Sequence, residues 1–222
     1  MLLFLREGEK QMKKINLTEE PIPENVKEKY LSILDPVIKL AIKLNLSPNA
    51  FTGIGFVISI IAAVIAAKGQ VRLASAVILI AGMFDTVDGK LARESGKETK
   101  FGALFDSTLD RYSEVMYFFG LAFFFIQSEW YWTSVGVAIA LGGSLMVSYV
   151  RARAEGLGFD CKVGMMQRPT RLLLLGFGGL IHVVALAVAV WIIAVFANMT
   201  AIQRILHVWK EDRAVHLSPE KQ

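Results

Sequence analysis

Long apolar runs, separated by short polar breaks that carry glycine or proline, set the rhythm of this chain. Ser47-Pro48 opens the first run, a cap followed by a proline at the first helical position, and Asn49 to Ala67 follows. At about 1.5 Å per residue this run nearly crosses a hydrocarbon core of roughly 30 Å. A second span begins near Leu73 and ends around Ala92. A third runs from Phe101 to Ile126, polar in its first half and aromatic in its second. Trp130, Tyr131 and Trp132 then mark an interfacial belt, and a fourth span covers Thr133 to Val150. A glycine-bearing loop (Gly156, Gly158, Asp160, Lys162, Gly164) leads to Arg168-Pro169. The last apolar stretch, Leu172 to Ile202, is too long for one span and short for two. With its flanks from Arg168 to Trp209 it accommodates two tightly joined helices turning near His182.

Ahead of the first span, Asp35-Pro36 reads as a helix start. Leu34, Ile38 and Ala41 form one stripe, with Lys39 and Lys43 on another face. This predicts an amphipathic juxtamembrane helix on the membrane surface, its lysines toward anionic headgroups; a cytosolic helix is the alternative. Residues 1–20 hold a short apolar tip and then mixed charge, too little for a signal peptide. They read as a cytoplasmic tail. The pattern therefore predicts an all-α polytopic membrane protein with six transmembrane helices. Its expected organisation is a cytoplasmic N-terminal segment (1–34), one membrane domain (35–210) and a cytoplasmic tail (211–222).

Composition agrees. The 222 residues are 54% hydrophobic, with a mean hydropathy of +0.48, too apolar for an ordinary soluble domain. The single Cys161 excludes an internal disulfide and offers no second thiol to a metal; it reads as an inert loop thiol. A six-span arrangement puts 21 of the 24 Lys and Arg residues on one side. Only Lys68 and Arg72 lie opposite, and Arg111 falls within the third span. That bias orients the shared side, with both termini, to the cytoplasm of the plasma membrane. Five spans would translocate the C-terminal basic residues.

The chemistry sits between Asp85 and Asp110. Asp85 and Asp88 are three residues apart, and Asp106 and Asp110 four, so on helices each pair shares a face. If the two helices turn back on each other, four carboxylates converge near a membrane surface. They repel unless a cation lies among them, and a hard divalent ion with oxygen ligands is the simplest, Mg²⁺ or Mn²⁺. Pairing with Lys90, Arg93 and Arg111 is the structural alternative. Carboxylates within spans otherwise need a functional reason. A diphosphate bridged by metal ions would leave a nucleoside monophosphate as a good leaving group. Arg93, one turn beyond Gly89, is suited to hold a phosphate oxygen bidentately.

The pattern D-x2-D-G-x2-A-R-x8-G-x3-D-x3-D is matched without a gap at every fixed position, Asp85, Asp88, Gly89, Ala92, Arg93, Gly102, Asp106 and Asp110. It resembles the signature of the CDP-alcohol phosphotransferases. The resemblance implies an enzyme of phospholipid biosynthesis, a phosphatidyltransferase that moves the phosphatidyl group of CDP-diacylglycerol onto a second alcohol and releases CMP. It implies that Asp85, Asp88 and Asp106 bind metal, through two ions. It also implies that Asp110 both ligates and acts as the catalytic general base. Asn49 and Thr52, with Asp88, Gly89 and Arg93, would bind the CDP donor, and a homodimer is expected.

The acceptor is read from a second basic set. Arg151 and Arg153 are about 200° apart on a helix and cannot both face one site; Arg151 alternatively pairs with Glu155. Arg168 and Arg171 begin a helix, where cations oppose the dipole unless an anion binds. Arg151, Arg168 and Arg171 are therefore the candidate acceptor-phosphate residues. Ser148-Tyr149-Val150-Arg151-Ala152-Arg153-Ala154-Glu155, with Arg168-Pro169-Thr170-Arg171, resembles the prokaryotic phosphatidylinositol-phosphate synthases. This favours inositol phosphate as acceptor; glycerol-3-phosphate, as in phosphatidylglycerol-phosphate synthases, is the alternative. A cation transporter is the alternative of another class, although its acids would lie near the midplane in repeated halves. No nucleic-acid partner is expected, and His182, His207 and His216 show no ligand spacing.

Overall fold

The computed structural model describes residues 24–217; the tail expected over residues 1–20 lies outside them, as does the end of the segment 211–222. The described residues form seven helices and no strand. These are α1 (Glu24–Lys43), α2 (Pro48–Ala67), α3 (Val71–Ser95), α4 (Lys100–Gln127), α5 (Tyr131–Gly156), α6 (Arg168–Ile181) and α7 (Val183–Leu217). Three of them, α2, α5 and α7, are long and apolar enough to cross a membrane.

Local chemistry explains most of the boundaries. Ser47 takes an extended N-cap backbone and Pro48 opens α2. Gly96 ends α3 in the left-handed region (φ 63°), its N–H bonding back to Ala92 and Arg93 carbonyls. The Thr99 hydroxyl accepts from the Gly102 N–H at 2.9 Å and starts α4. His182 breaks the last apolar stretch with an extended backbone. Its Nδ1 accepts from the Val184 N–H at 3.2 Å and caps α7. The two joined helices expected here therefore divide where the sequence placed the turn.

The start of α1 differs from expectation. The helix begins at Glu24 and runs through Pro36 rather than starting at Asp35. Proline gives up one helical hydrogen bond, but the residues flanking it are anchored to α3. Leu34 and Ile38 pack against Val87, beside Phe51 and Met83, and Asp35 forms an ion pair with Lys90. The Leu34, Ile38 and Ala41 stripe is buried against the protein, not turned to lipid. A second apolar stripe one position earlier (Ile33, Val37, Leu40, Leu44) stays exposed, with Lys39 and Lys43 on the remaining side. α1 also crosses the expected 34/35 boundary, and α7 crosses 210/211.

α2 is the spine of the fold. It packs along both α3 and α4, whereas α3 and α4 make few direct contacts with each other. The motif helices thus do not close on one another; they are held a cavity's width apart. Small residues make the close approaches. A Cβ on Gly120 would lie 2.3 Å from the Ala63 carbonyl oxygen on α2. On α6, a Cβ on Gly176 would meet the Leu79 side chain at 2.4 Å, and one on Gly179 the Ser75 hydroxyl at 1.9 Å. α6 therefore seats tightly on α3, and α7 completes the bundle against α5 and α6.

These approaches predict an asymmetric response to bulk. Gly120→Val should destabilise the detergent-solubilised protein by about 1–3 kcal/mol, the usual cost of overpacking, because backbone, not a mobile side chain, blocks the new atoms. Gly142→Val, at a position where an added Cβ meets nothing within 4 Å, should leave the Tm near wild type. Thermal unfolding of the two variants side by side is the measurement, and equal Tm values would contradict the close approach.

Candidate active site

Helical spacing and the α2 spine together create the acidic centre. Asp85 and Asp88 project from α3, Asp106 and Asp110 from α4. Ligand oxygens of Asp85, Asp88 and Asp106 all lie within 4.8 Å of one another. Asp88 is only 3% exposed, and Asp88 Oδ2 and Asp106 Oδ1 are buried without a hydrogen-bond partner. Buried acceptors left without donors are rare in folded proteins. Two of them beside a third carboxylate fit a hard cation with oxygen ligands, and the donor set contains no nitrogen or sulfur that would favour a softer metal.

Asp110, expected as the fourth ligand, stands one turn further along α4 in a different arrangement. Arg168 Nη1 lies 2.6 Å from Asp110 Oδ2 and 2.7 Å from Asp85 Oδ2, bridging the two helices. Arg111 adds a 3.5 Å contact to Asp110. The alternative pairing is thus realised only in part. Asp85 and Asp110 are paired, mainly by an arginine from α6, while Lys90 turns away to Asp35 and Glu94. Asp88 and Asp106 keep their orphan oxygens.

On one side of this centre lies a cavity of about 180 Å³ lined by Asn49, Thr52, Asp88, Gly89, Arg93 and Asp106. All five residues expected to bind the donor are among its walls. Gly89 keeps a wall open, since a Cβ there would point at the Arg93 guanidinium 3.6 Å away. A Cβ on Gly102 would press on Asn49 Oδ1 at 3.2 Å.

On the other side of Arg168 is a larger cavity, about 730 Å³, walled by Arg111, Arg151, Arg168, Arg171 and Arg204 together with Ser148. Arg151 lines it while pairing with Glu155 at 2.8 Å, the alternative partner expected for it. Arg153 is exposed and not among its walls, as the 200° separation requires. Arg171 is 1% exposed; its Nε and Nη2 hold both oxygens of Glu114 at 2.6 and 2.9 Å, and Nη1 donates to the Met166 carbonyl. Its charge borders the cavity, but its hydrogen bonds are spent on the scaffold. Glu114 and Arg204 escaped the sequence reading, which named Arg111 only as an alternative partner of the aspartates. Charge inside an apolar helix was the available signal for Arg204, and for Glu114 its position one turn after Asp110. Cys161 lies in the loop between α5 and α6, as expected, but is buried there, and burial pushes its pKa up.

Residues 45–209 match the family model described as CDP-alcohol phosphatidyltransferase, a span that contains the acidic centre and both cavities. The chain belongs to this family. It is 33% identical over 195 residues to an archaetidylinositol phosphate synthase of Methanothermobacter thermautotrophicus, covering 84% of this chain and 97% of the relative. It is 32% identical to a phosphatidylinositol phosphate synthase of Corynebacterium glutamicum, covering 82% and 86%. Two crystal structures of the Mycobacterium tuberculosis phosphatidylinositol phosphate synthase share the fold. One, with CDP-DAG bound, gives a TM-score of 0.75 at 30% identity, covering 80% of this chain and 94% of that one. The other, with manganese and citrate, gives 0.71 at 31% identity, covering 78% and 88%. Family membership and the apolar helices make this an integral membrane enzyme, and the aspartate cluster makes it one that depends on a divalent metal.

The cluster predicts where metal affinity resides. Asp88→Asn should weaken Mn²⁺ binding by more than about 100-fold, exceeding the usual cost of losing an outer-shell partner, while the protein remains folded in detergent. Mn²⁺ titration followed by electron paramagnetic resonance is the measurement, and unchanged affinity would remove Asp88 from the ligand set.

Proposed function

We propose that this enzyme transfers the phosphatidyl group of CDP-diacylglycerol to a hydroxyl of a phosphorylated polyol, inositol phosphate in preference to glycerol-3-phosphate, and releases CMP. One observation carries the proposal: the acidic centre lies between the small cavity with the nucleotide-binding residues and the large arginine-walled one, with Arg168 at the junction. A free polyol would not need that many guanidinium groups around it, whereas a phosphate monoester matches their charge and geometry. The relatives named for inositol phosphate products support the same acceptor.

Asp85, Asp88, Asp106 and Asp110 would hold the metal, as two Mg²⁺ or Mn²⁺ ions. Bound there, the metal neutralises diphosphate charge and makes CMP a better leaving group. Asn49, Thr52 and Gly89 hold the nucleotide, and Arg93 grips a phosphate oxygen. Arg151 and Arg168 bind the acceptor phosphate, with Arg171 adding its charge and fixing the start of α6 through Glu114. Asp110 takes the proton from the acceptor hydroxyl as its oxygen attacks the lipid-bearing phosphorus, and the bond from that phosphorus to the CMP oxygen breaks. All six helices from α2 to α7 span the membrane, with both termini and the site on the cytoplasmic side. α1 lies on that surface, its exposed apolar stripe in the lipid interface and its lysines at the headgroups. Two such chains form a homodimer.

The proposal predicts separable defects. Asp110→Asn should retain CDP binding in Mg²⁺ while turnover falls by about 100-fold or more, the scale of a general-base contribution; retained turnover with weakened nucleotide binding would make Asp110 a ligand only. Arg151→Ala should raise the acceptor KM about 10- to 100-fold with the donor KM unchanged, as loss of one charged hydrogen bond implies. Arg168→Ala should add a loss of turnover, since it also orients Asp110. Radiolabelled CDP-diacylglycerol assayed against inositol phosphate, glycerol-3-phosphate and free inositol reads all three. Equal use of free inositol would overturn the phosphorylated-acceptor assignment.

A further inference from the structure

Helical spacing gives the end of α3 two sides. Asp85, Asp88 and Ala92 face one way, toward the acidic centre and the donor cavity, and Val87, Lys90 and Glu94 fall on the other. α1 lies against that second side. Leu34 and Ile38 close on Val87, and Asp35 pairs with Lys90, which also reaches Glu94 at 3.7 Å. Two turns on, where α3 ends, Lys97 Nζ donates to Asn45 Oδ1 at 2.6 Å and to the Asn45 and Leu46 carbonyls at 3.3 and 3.4 Å. These groups finish α1: Asn45 is in the left-handed region (φ 53°), and the Leu46 N–H bonds back to the Ala41 carbonyl at 3.0 Å. The contacts of α6 with α3 named above run from Ser75 to Asp85. Beyond them, α1 is packed against the side of α3 turned away from the cavity.

We propose that Asp35 is a positioning residue for the donor cavity. It is not among the cavity walls; it acts through Lys90, holding the turn of α3 that carries Asp88, Gly89 and Arg93 against Asn49 and Thr52 at the start of α2. The inference rests on the donor-cavity reading above and adds to it a residue outside both the cavity and the acidic motif. Two features make this turn depend on an outside anchor. Gly89 costs the helix stability at this point, and Lys90 is the next residue. Across the cavity α4 gives little support, because α3 and α4 make few direct contacts. The apolar seat of Val87 on Leu34 and Ile38 is non-directional and leaves the helix free to roll. The charge pair one turn away fixes its rotation, and with it the aim of Asp88 and Arg93.

CDP is the probe, titrated calorimetrically into the full chain in detergent with Mg²⁺ saturating, and kcat and both KM values are measured in parallel. Asp35→Asn, which keeps the shape and removes the charge, should weaken CDP binding about fivefold or more, the lower end of coupling between linked sites. It should raise the donor KM by a similar factor and leave the acceptor KM unchanged. Loss of folded protein would instead lower turnover at every donor concentration and leave the donor KM alone, so the split between KM and kcat separates positioning from stability. Asp35→Glu, which keeps the carboxylate, should bind CDP within about twofold of wild type. Asp35→Asn combined with Lys90→Met should be no weaker than the weaker single variant, because both remove one pair. If Asp35→Asn binds CDP within twofold of wild type, if Asp35→Glu is as weak as Asp35→Asn, or if the losses multiply in the double variant, the pair does not position the cavity and the proposal is overturned. Wild-type protein that binds no CDP would overturn the donor-cavity reading itself, and this assignment with it.

Discussion

Carboxylates gathered in a membrane-embedded helix bundle repel one another, and the architecture follows from how that repulsion is managed. Water screens them poorly where they are buried in the protein, so such an acidic oxygen needs a cation or a donor. The chain divides the task. Asp88 and Asp106 keep buried oxygens with no protein partner, which suits a divalent ion. Asp85 and Asp110 share the guanidinium of Arg168. If α3 and α4 packed directly, the acids would be forced together with no room for a substrate. Because α2 supports both helices, the acidic centre opens into cavities on either side.

The positive side of the balance is built just as deliberately. Arg168 and Arg171 lie one turn apart on α6, and their partners Asp110 and Glu114 lie one turn apart on α4, so the two pairs form rungs between the helices. The Glu114–Arg171 rung is buried, where losing one partner is far more costly than the intact pair is stabilising. Its value is positional: it fixes the first turn of α6, from which Arg168 extends. Gly176 and Gly179 set the other coordinate by letting α6 approach α3 closely. Placement of one charged side chain thus depends on a pair of buried charges and on two residues without side chains.

Much of the site was legible in the residues because it is local. Three- and four-residue spacings put carboxylates on shared helix faces whatever the rest of the chain does. Asn49 and Thr52 begin the helix that follows a proline cap, so their position near the motif helices needed only the bundle to form. The helix break at His182 followed from length alone, since the apolar stretch exceeds one span. The start of α1 was misplaced for the converse reason. Pro36 reads as a helix start by its own chemistry, but Leu34 and Asp35 are tied to α3, and those tertiary contacts carry the helix through it.

The sequence by itself thus determined the helical class, the apolar lengths and the acidic motif, all of which depend on neighbours a few positions away. Only the tertiary structure decided that Arg168 bridges Asp85 and Asp110 instead of Lys90 or Arg93 doing so. It likewise decided that Arg171 spends its hydrogen bonds on Glu114, and that Arg204 reaches the arginine-walled cavity from the far end of the chain. The physical reason is range. A guanidinium interacts strongly only within a few ångströms, and which carboxylate comes that close depends on how helices separated by tens of residues seat against one another.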